Sequence, residues 1–429
     1  MTLLRQILAL SVPAILANVA TPLMSMSDMA ISGRLGSADI IASVALGGVI
    51  FNLLYWLLGF LRMGTSGLTA HACGAADTRS ITITLLRSLA LAAGFGLMVI
   101  LLRHPLVEWL LTLMEASGDV RDMARSYCLI CVWGAPAVLA VNSFAGWYVG
   151  LQNSRLPMLM SVCQVALNIA LSVTLVFGFG MKVEGIATGT LVAQWAGALL
   201  FLLSSVKRLS VRRVRLLDVF ALDPLLRFFR INLDIFLRTL CMVAVTFWFT
   251  RIGTSHGNVV LAANAMIMQL FTFFSYFMDG YAYGAEGVCG RLSGAHEYGE
   301  LRRAVGLLYR IGALTAIVCA IFYFIGGDGI LSLLSHDGAV NRKAHEYLPW
   351  AVTVPVAGFA AFIGDGVAVG LIRTRLMLLS LVAATAVFFT AYAIAYPTIG
   401  NHGLWLAFVL YLATRSIFLF IRLRPAKVI

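Results

Sequence analysis

Apolar stretches recur along the chain at roughly 7–32, 40–63, 80–102, 126–150, 156–179 and 184–206. After a basic segment they resume at about 234–253, 260–288, 304–325, 347–371, 376–396 and 403–421. Each is close to the roughly 20 apolar residues that a helix needs to cross a bilayer. The pattern predicts twelve membrane-spanning helices joined by short loops, with no separate soluble domain. The first run is too long for a signal peptide and lacks a small-residue cleavage site, so it is expected to stay as helix one. Composition agrees: 61% of the residues are hydrophobic and 12% charged, against about 25% charged in soluble domains. With a mean hydropathy of +0.93 there is too little polar surface to cover a soluble fold. Disorder, collagen-like repeats and a small disulfide scaffold are excluded by the same figures. The fold class is an all-α integral membrane protein.

The net charge of +12 has a distribution that explains it. Lys207, Arg208, Arg212, Arg213, Arg215, Arg227 and Arg230 lie in mid-chain, and Arg422, Arg424 and Lys427 at the C-terminus. Basic clusters between apolar runs mark cytoplasmic loops that meet anionic headgroups. Nucleic acid is disfavoured, because no basic stripe with stacking aromatics stands outside the spans. Twelve spans put both termini on one side, expected to be the cytoplasmic face of the cell (inner) membrane. Arg291, Arg302, Arg303, Arg373 and Arg375 fall on that side too, while outer-loop Arg103, Arg121 and Arg125 are interleaved with Glu108, Glu115, Asp119 and Asp122. The seven cysteines sit mostly in apolar runs, and the Cys128/Cys131 pair reads as small hydrophobes in a helix rather than a redox or zinc site.

An internal repeat carries the most information. Gly64, Gly67 and Gly74 recur as Gly284, Gly287 and Gly294, a shift of 220 residues. The same shift turns Gly146, Gly150, Leu151, Arg155 and Leu156 into Gly366, Gly370, Leu371, Arg375 and Leu376. Each half then contains six spans, which gives both halves one orientation and a pseudo-twofold axis along the membrane normal. The expected domains are a lobe at 1–206, a basic cytoplasmic linker at 207–230 and a lobe at 231–429. Two like bundles can rock about a central cleft, so the chain reads as a secondary transporter. The glycines themselves suit close helix packing, with hinging as the alternative, and Arg155 and Arg375 suit headgroup anchors.

Several segments resemble the multidrug and toxic compound extrusion (MATE) family, and within it the DinF-like subgroup. They are TPLMSMSDMAISGRLGS at 21–37, GTSGLTAHACGA at 64–75, NIALSVTLVFGFGMKVEGIATGT at 168–190 and DGYAYGAEG at 279–287, with IGDGVAVGLIRTRL at 363–376 and NHGLWLAFVLYLATRS at 401–416. The resemblance spans the chain and implies two six-helix lobes that expel amphipathic or cationic compounds by antiport with protons or sodium ions. Major-facilitator carriers share the six-plus-six form, but their Gly- and Asp-rich basic signature is missing from the loop HACGAADTRS.

Asp28 is the one carboxylate deep in the first half's apolar runs, about 30 Å along span 1. An ionised Asp in hydrocarbon is costly, so it should face a cavity or polar neighbours. Burial favours its protonated form and a cation or polar donors its ionised form, so it could exchange a proton for a cation. The alternative is a structural cap near Gly33. The resemblance implies that Asp28 is the ion-coupling residue, with Asn168, Ser172 and Thr190 around it. It also implies that span 1 bends during transport, Pro13 being a closer match than Pro22, although both remove backbone donors. Gln164, Asn168 and Ser172 form a polar stripe on span 5, and Thr190 and Gln194 a shorter one on span 6. Where many relatives carry a second Asp one turn after the span-5 Asn, this chain has Ser172. That favours protons over sodium, since hard cations prefer charged oxygen.

In the second half, Thr272, Ser275, Asp279 and Glu286 share one face of span 8, Asp365 lies near the inner end of span 10, and Asp234 and Arg238 enter span 7 four residues apart. These acids could draw cationic substrates into an inward-open cleft, or form an inner-gate network with Arg238, Arg291 and Arg373. The Met- and aromatic-rich segments 24–29 and 271–277 suit either a greasy binding site or plain packing. No enzyme signature appears: His296–Glu297 and His345–Glu346 lack the second His of a zinc protease helix, and there is no Walker loop. Neither a metal site nor a resident cofactor is expected; the coupling ion is the proton, with sodium second. The partners are small amphipathic or cationic solutes and membrane lipids, and the chain is expected to act as a monomer. The alternative function is a flippase for a lipid-linked glycan, which an Arg-lined cationic cavity would favour.

Overall fold

The structure is a computed structural model of the 429-residue chain and describes residues 2–209, 214–335 and 337–427. Arg212 and Arg213 of the basic segment lie outside the described residues. Among these residues the fold is helical, with no strand. The first half contains α1 (Leu3–Gly33), α2 (Ala38–Leu57), α3 (Phe60–Gly74), α4 (Thr78–Leu101), α5 (Arg103–Leu113), α6 (Gly118–Cys131), α7 (Ala135–Gly150), α8 (Arg155–Val173) and α9 (Val183–Val206). A short α10 (Leu216–Val219) follows, then α11 (Leu222–Ser255), α12 (Asn258–Gly294), α13 (Tyr298–Leu334), α14 (Gly338–Gly370), α15 (Thr374–Ile399) and α16 (Asn401–Leu423).

Twelve spans among the described residues are long and apolar enough to cross a membrane, with α2–α3 and α6–α7 each counting as one. Many outrun the apolar runs that reveal them, because polar residues cap and extend their ends. Asp77 caps α4 by accepting the Ser80 N–H at 2.9 Å, and Asp337 caps α14 by accepting the Ala339 N–H at 2.7 Å. The segment before span 4, read from sequence as loop, contains α5. It buries Val107, Leu110 and Leu111 on one face, and Glu108 on it pairs with Arg121 and Arg125 of α6.

The 220-residue repeat extends to single hydrogen bonds. Asp77 N–H donates to the Ala72 carbonyl and Glu297 N–H to that of Leu292. Asn153 N–H donates to the Tyr148 carbonyl and Arg373 N–H to that of Ala368. Each closes a helix through a residue with positive φ: Ala76 (54°), His296 (58°), Gln152 (63°) and Ile372 (56°). Glycine contacts repeat likewise. A Cβ on Gly150 would meet the Ser66 carbonyl at 2.8 Å and Ala70 N at 2.9 Å; one on Gly370 would meet Glu286 carbonyl oxygen and Gly290 N, both at 2.9 Å. Each contact partner is again 220 residues on, so these glycines are close-packing positions against α3 and α12.

The chain forms two compact units: residues 1–15 with 230–429, and residues 16–229. The division falls inside α1, which runs unbroken through Pro13 and Pro22. In the first unit, Ile7, Leu10, Ser11 and Ala14 are buried. Ser11 and Ile15 of α1 pack against Gly280, and Ile7 and Ser11 against Gly284, both on α12, where any added Cβ would collide. In the second unit, Arg87 on α4 donates to the Asp218 and Val219 carbonyls, at 2.6 and 2.8 Å, and holds α10 down.

Candidate functional site

The polar stripes of spans 5 and 6 face one another in the 16–229 unit. Gly189 on α9 lies over Ser172 and Gly197 over Gln164, because a side chain at either position would collide with the stripe on α8. That close approach brings Asn168 to Thr190: the Asn168 amide donates to Thr190 Oγ1 at 2.9 Å. Thr190 in turn donates to Asp28 Oδ2 at 3.4 Å. Asp28 is 5% exposed, and Asn168 and Ser172 are fully buried. Hydrogen bonds thus join Asp28, Thr190 and Asn168, while Ser172 lies one turn further along α8 against Gly189.

The donors and acceptors do not balance. Asp28 Oδ1, Asn168 Oδ1, Ser172 Oγ and Gln194 Oε1 are buried without a hydrogen-bond partner. An unsatisfied buried polar group costs about 1–3 kcal/mol. Span 4 adds residues that the sequence reading missed. Tyr127 and Cys131 are buried one turn apart on α6, and the Cys131 thiol donates to the Ala187 carbonyl of α9 at 3.8 Å. Gly47 leaves room for the Tyr127 ring. The signal was the i,i+4 pairing of Tyr127 with Cys131, hidden inside a CxxC that reads as core. Both cysteines are buried free thiols, and no group of three or more His, Cys, Asp or Glu able to hold a metal occurs among the described residues.

In the other unit the second-half residues separate into different roles. Asp365 Oδ2 accepts from Arg238 Nη2 at 2.5 Å and from Arg415 Nη2 at 2.7 Å. Arg415 is 1% exposed, with its guanidinium 5.9 Å from the Phe362 ring centre and 5.7 Å from that of Tyr411. Asp234 accepts from the Thr374 hydroxyl at 2.9 Å. Glu286 is fully buried, and Asp279 is partly exposed beside Tyr276. Of the arginines expected in an inner-gate network, Arg238 holds Asp365, Arg291 donates to Gln6 at 3.1 Å, and Arg373 reaches the Lys427 carbonyl at 3.5 Å. Arg415 escaped the sequence reading. Its signal was a lone cation near the middle of an apolar span, which must find a buried anion.

Comparison with known proteins places this arrangement. The MatE family profile matches residues 13–174 and again 231–394, once in each half of the repeat. The chain is 35% identical to DNA damage-inducible protein F of Escherichia coli (strain K12), over 95% of this chain and 89% of that one. It is 24% identical to the probable multidrug resistance protein NorM of Idiomarina loihiensis, over 96% and 92%. A solved structure of a MOP superfamily transporter from Pyrococcus furiosus has the same fold, with a TM-score of 0.87 at 20% identity over 99% of this chain and 96% of that one. Twelve apolar spans, a repeat matched twice by one family, and this length of likeness to a curated relative show that the chain belongs to the MatE family of multidrug and toxic compound extrusion transporters and is not an enzyme.

Proposed function

We propose that the protein is a secondary active exporter of small amphipathic compounds, working in the cell membrane as a monomer with both termini cytoplasmic. Alternating exposure of a cleft between rocking lobes exchanges each solute for protons bound at Asp28. The observation that carries this reading is the pair of orphaned acceptors, Asp28 Oδ1 and Asn168 Oδ1. Thr190 links the two residues, accepting the Asn168 amide N–H and donating to Asp28 Oδ2. A proton on Oδ1 would supply the missing donor and close a ring: Asn168 to Thr190, Thr190 to Asp28, Asp28 back to Asn168. Loss of that proton reopens the ring and leaves a buried carboxylate, so the two charge states favour different surroundings. Such a difference is what couples an ion to a conformational change.

A sodium ion would also find oxygens here, but one carboxylate with neutral donors is a weak cage for a hard cation. In the second half, Asp365 is committed to two arginines and suits gating, with Asp234, Arg238 and Glu286 in the same supporting role. Asp279, partly exposed, suits contact with a cationic substrate.

The test is efflux of fluorescent cations from proteoliposomes with proton and sodium gradients imposed separately. A proton gradient should drive transport, and Asp28→Asn should abolish it while substrate binding persists. Sodium-driven efflux at clamped pH, or undiminished efflux in Asp28→Asn, would refute the assignment.

A further inference from the structure

Helix α5 carries three chemistries on three sides. At about 100° per residue, Leu106, Trp109 and Leu113 fall in one narrow sector around its axis. The next sector holds Val107, Leu110 and Leu111, all buried against the rest of the unit. The third holds His104, Glu108 and Thr112. A helix on the surface of a soluble fold needs two faces, one apolar and inward, one polar and outward. Here an apolar side remains after the inward one has been used, with Trp109 62% exposed and Leu113 49%.

The neighbouring chain shows what covers that side. Three membrane spans precede α5, so it lies on the face opposite the N-terminus. Its 11 residues make a helix about 16 Å long, too short for the roughly 30 Å hydrocarbon core. Leu102 joins it directly to α4, and Leu97, Met98, Leu101 and Leu102 are exposed at that end of span 3. The apolar side of α5 therefore continues the lipid-facing surface of a span. Its polar side turns away from that surface. Glu108 pairs with Arg121 at 2.9 Å and Arg125 at 2.6 Å, and Arg121 also donates to the Thr112 hydroxyl at 3.2 Å. These charged groups are partly exposed and need water. Tryptophans stand beside the helix. The Arg103 guanidinium is 5.4 Å from the centre of the exposed Trp133 ring, and exposed Trp195 donates its indole N–H to the Trp133 carbonyl at 3.1 Å. Exposed tryptophans of this kind mark a membrane–water boundary.

We propose that α5 is an interfacial helix lying along the leaflet opposite the N-terminus. Leu106, Trp109 and Leu113 enter the lipid chains, while His104, Glu108 and Thr112 stay in water. The partner is the bilayer itself, and the Glu108 clasp ties α6 to its surface. This placement does not depend on what the protein carries, so its failure and failure of the export reading are separate results. Only the naming of that leaflet as the outer one rests on that reading.

The experiment places photoreactive p-benzoylphenylalanine singly at Trp109, Leu113, His104 or Thr112 of the full-length protein, all four exposed. Each variant is reconstituted in vesicles of phosphatidylethanolamine and phosphatidylglycerol, irradiated, and weighed by mass spectrometry of the intact protein. Positions 109 and 113 should gain the mass of a phospholipid roughly tenfold more often than positions 104 and 112. Position 113 provides the same test should the Trp109 variant fail to fold. Equal phospholipid capture at all four positions would show a helix without a water side. Absence of a lipid adduct at 109 and 113 would show a helix held clear of the bilayer. A covalent dimer from either would assign the apolar side to a second copy of the chain. Each of these three results overturns the proposal.

Discussion

Gly150→Ala and Gly94→Ala are the same chemical change, one added methyl on a membrane helix, and they should act with opposite signs. At Gly150 the new Cβ would stand 2.6 Å from Thr69 Cβ, 2.8 Å from the Ser66 carbonyl oxygen and 2.9 Å from Ala70 N. Carbon contacts are comfortable near 3.5–4.0 Å, so α3 and α7 must part by roughly 1 Å. Two of the three obstacles are backbone and cannot rotate away. Overpacking of this kind costs about 1–3 kcal/mol, and the better helix propensity of Ala returns up to about 1 kcal/mol. Backbone obstacles put the cost in the upper part of that range, so the expected net loss is about 1–2 kcal/mol. At Gly94, exposed on α4, nothing lies within 4 Å, so the propensity gain of about 0.5–1 kcal/mol stands alone. Gly370→Ala, the counterpart in the repeat, should match Gly150→Ala. Unfolding of the purified protein in mixed micelles, titrated with a denaturing detergent, reads all three. A neutral Gly150→Ala, or a Gly94→Ala that destabilises as much, would show that the close approaches are not what fixes these helices.

Asn264→Leu should destabilise by roughly 3 kcal/mol or more, since it orphans both ends of the Asn401 amide and the Trp405 indole N–H. Asn264→Leu with Asn401→Leu should recover part of that loss in the same denaturation assay. Ser172→Asp adds a second acid one turn from Asn168 on α8 and should make efflux respond to sodium; proteoliposome transport at fixed pH with and without a sodium gradient decides it. Arg121, with Arg125, holds the Glu108 carboxyl below the usual carboxylate range. A depressed acid contributes stability above its unfolded value and loses it only as pH falls through the lower folded one. The α5–α6 clasp should therefore be constant above about pH 5. Glu108→Gln should leave the efflux profile between about pH 5.5 and 7.5 unchanged, whereas Asp28→Asn should remove efflux across it.

Hydropathy revealed the spans because lipid demands long apolar helices, and the 220-residue shift was legible because close packing admits only glycine at Gly150 and Gly370. The Asp28 cluster was legible too, since a carboxylate in an apolar run needs polar company and the stripes on spans 5 and 6 were the available supply. Direction was harder to read. Asp234 and Arg238 stand four residues apart on one helix, yet Arg238 reaches Asp365 on α14, 127 residues on, and Asp234 takes the Thr374 hydroxyl. Partner choice across helices depends on rotation about each axis, which spacing along one chain does not encode. Arg415 was overlooked for a related reason: it stands inside the apolar run at 403–421, and its anion, Asp365, lies on another helix 50 residues earlier.

The division of α1 between two units fixes an order of events during synthesis. Ser11 and Ile7 leave the ribosome well before their packing partners Gly280 and Gly284, which are made about 270 residues later. At translation rates of about 5–20 residues per second the wait is roughly 15–50 seconds. During it, a helix that already contains Asp28 lies in the membrane with its first turns unclaimed. Severing the chain between residues 207 and 230 would therefore not yield two self-sufficient halves. The later fragment would lack the strip of α1 that covers Gly280 and Gly284, and the earlier one would hold that strip with nothing to cover.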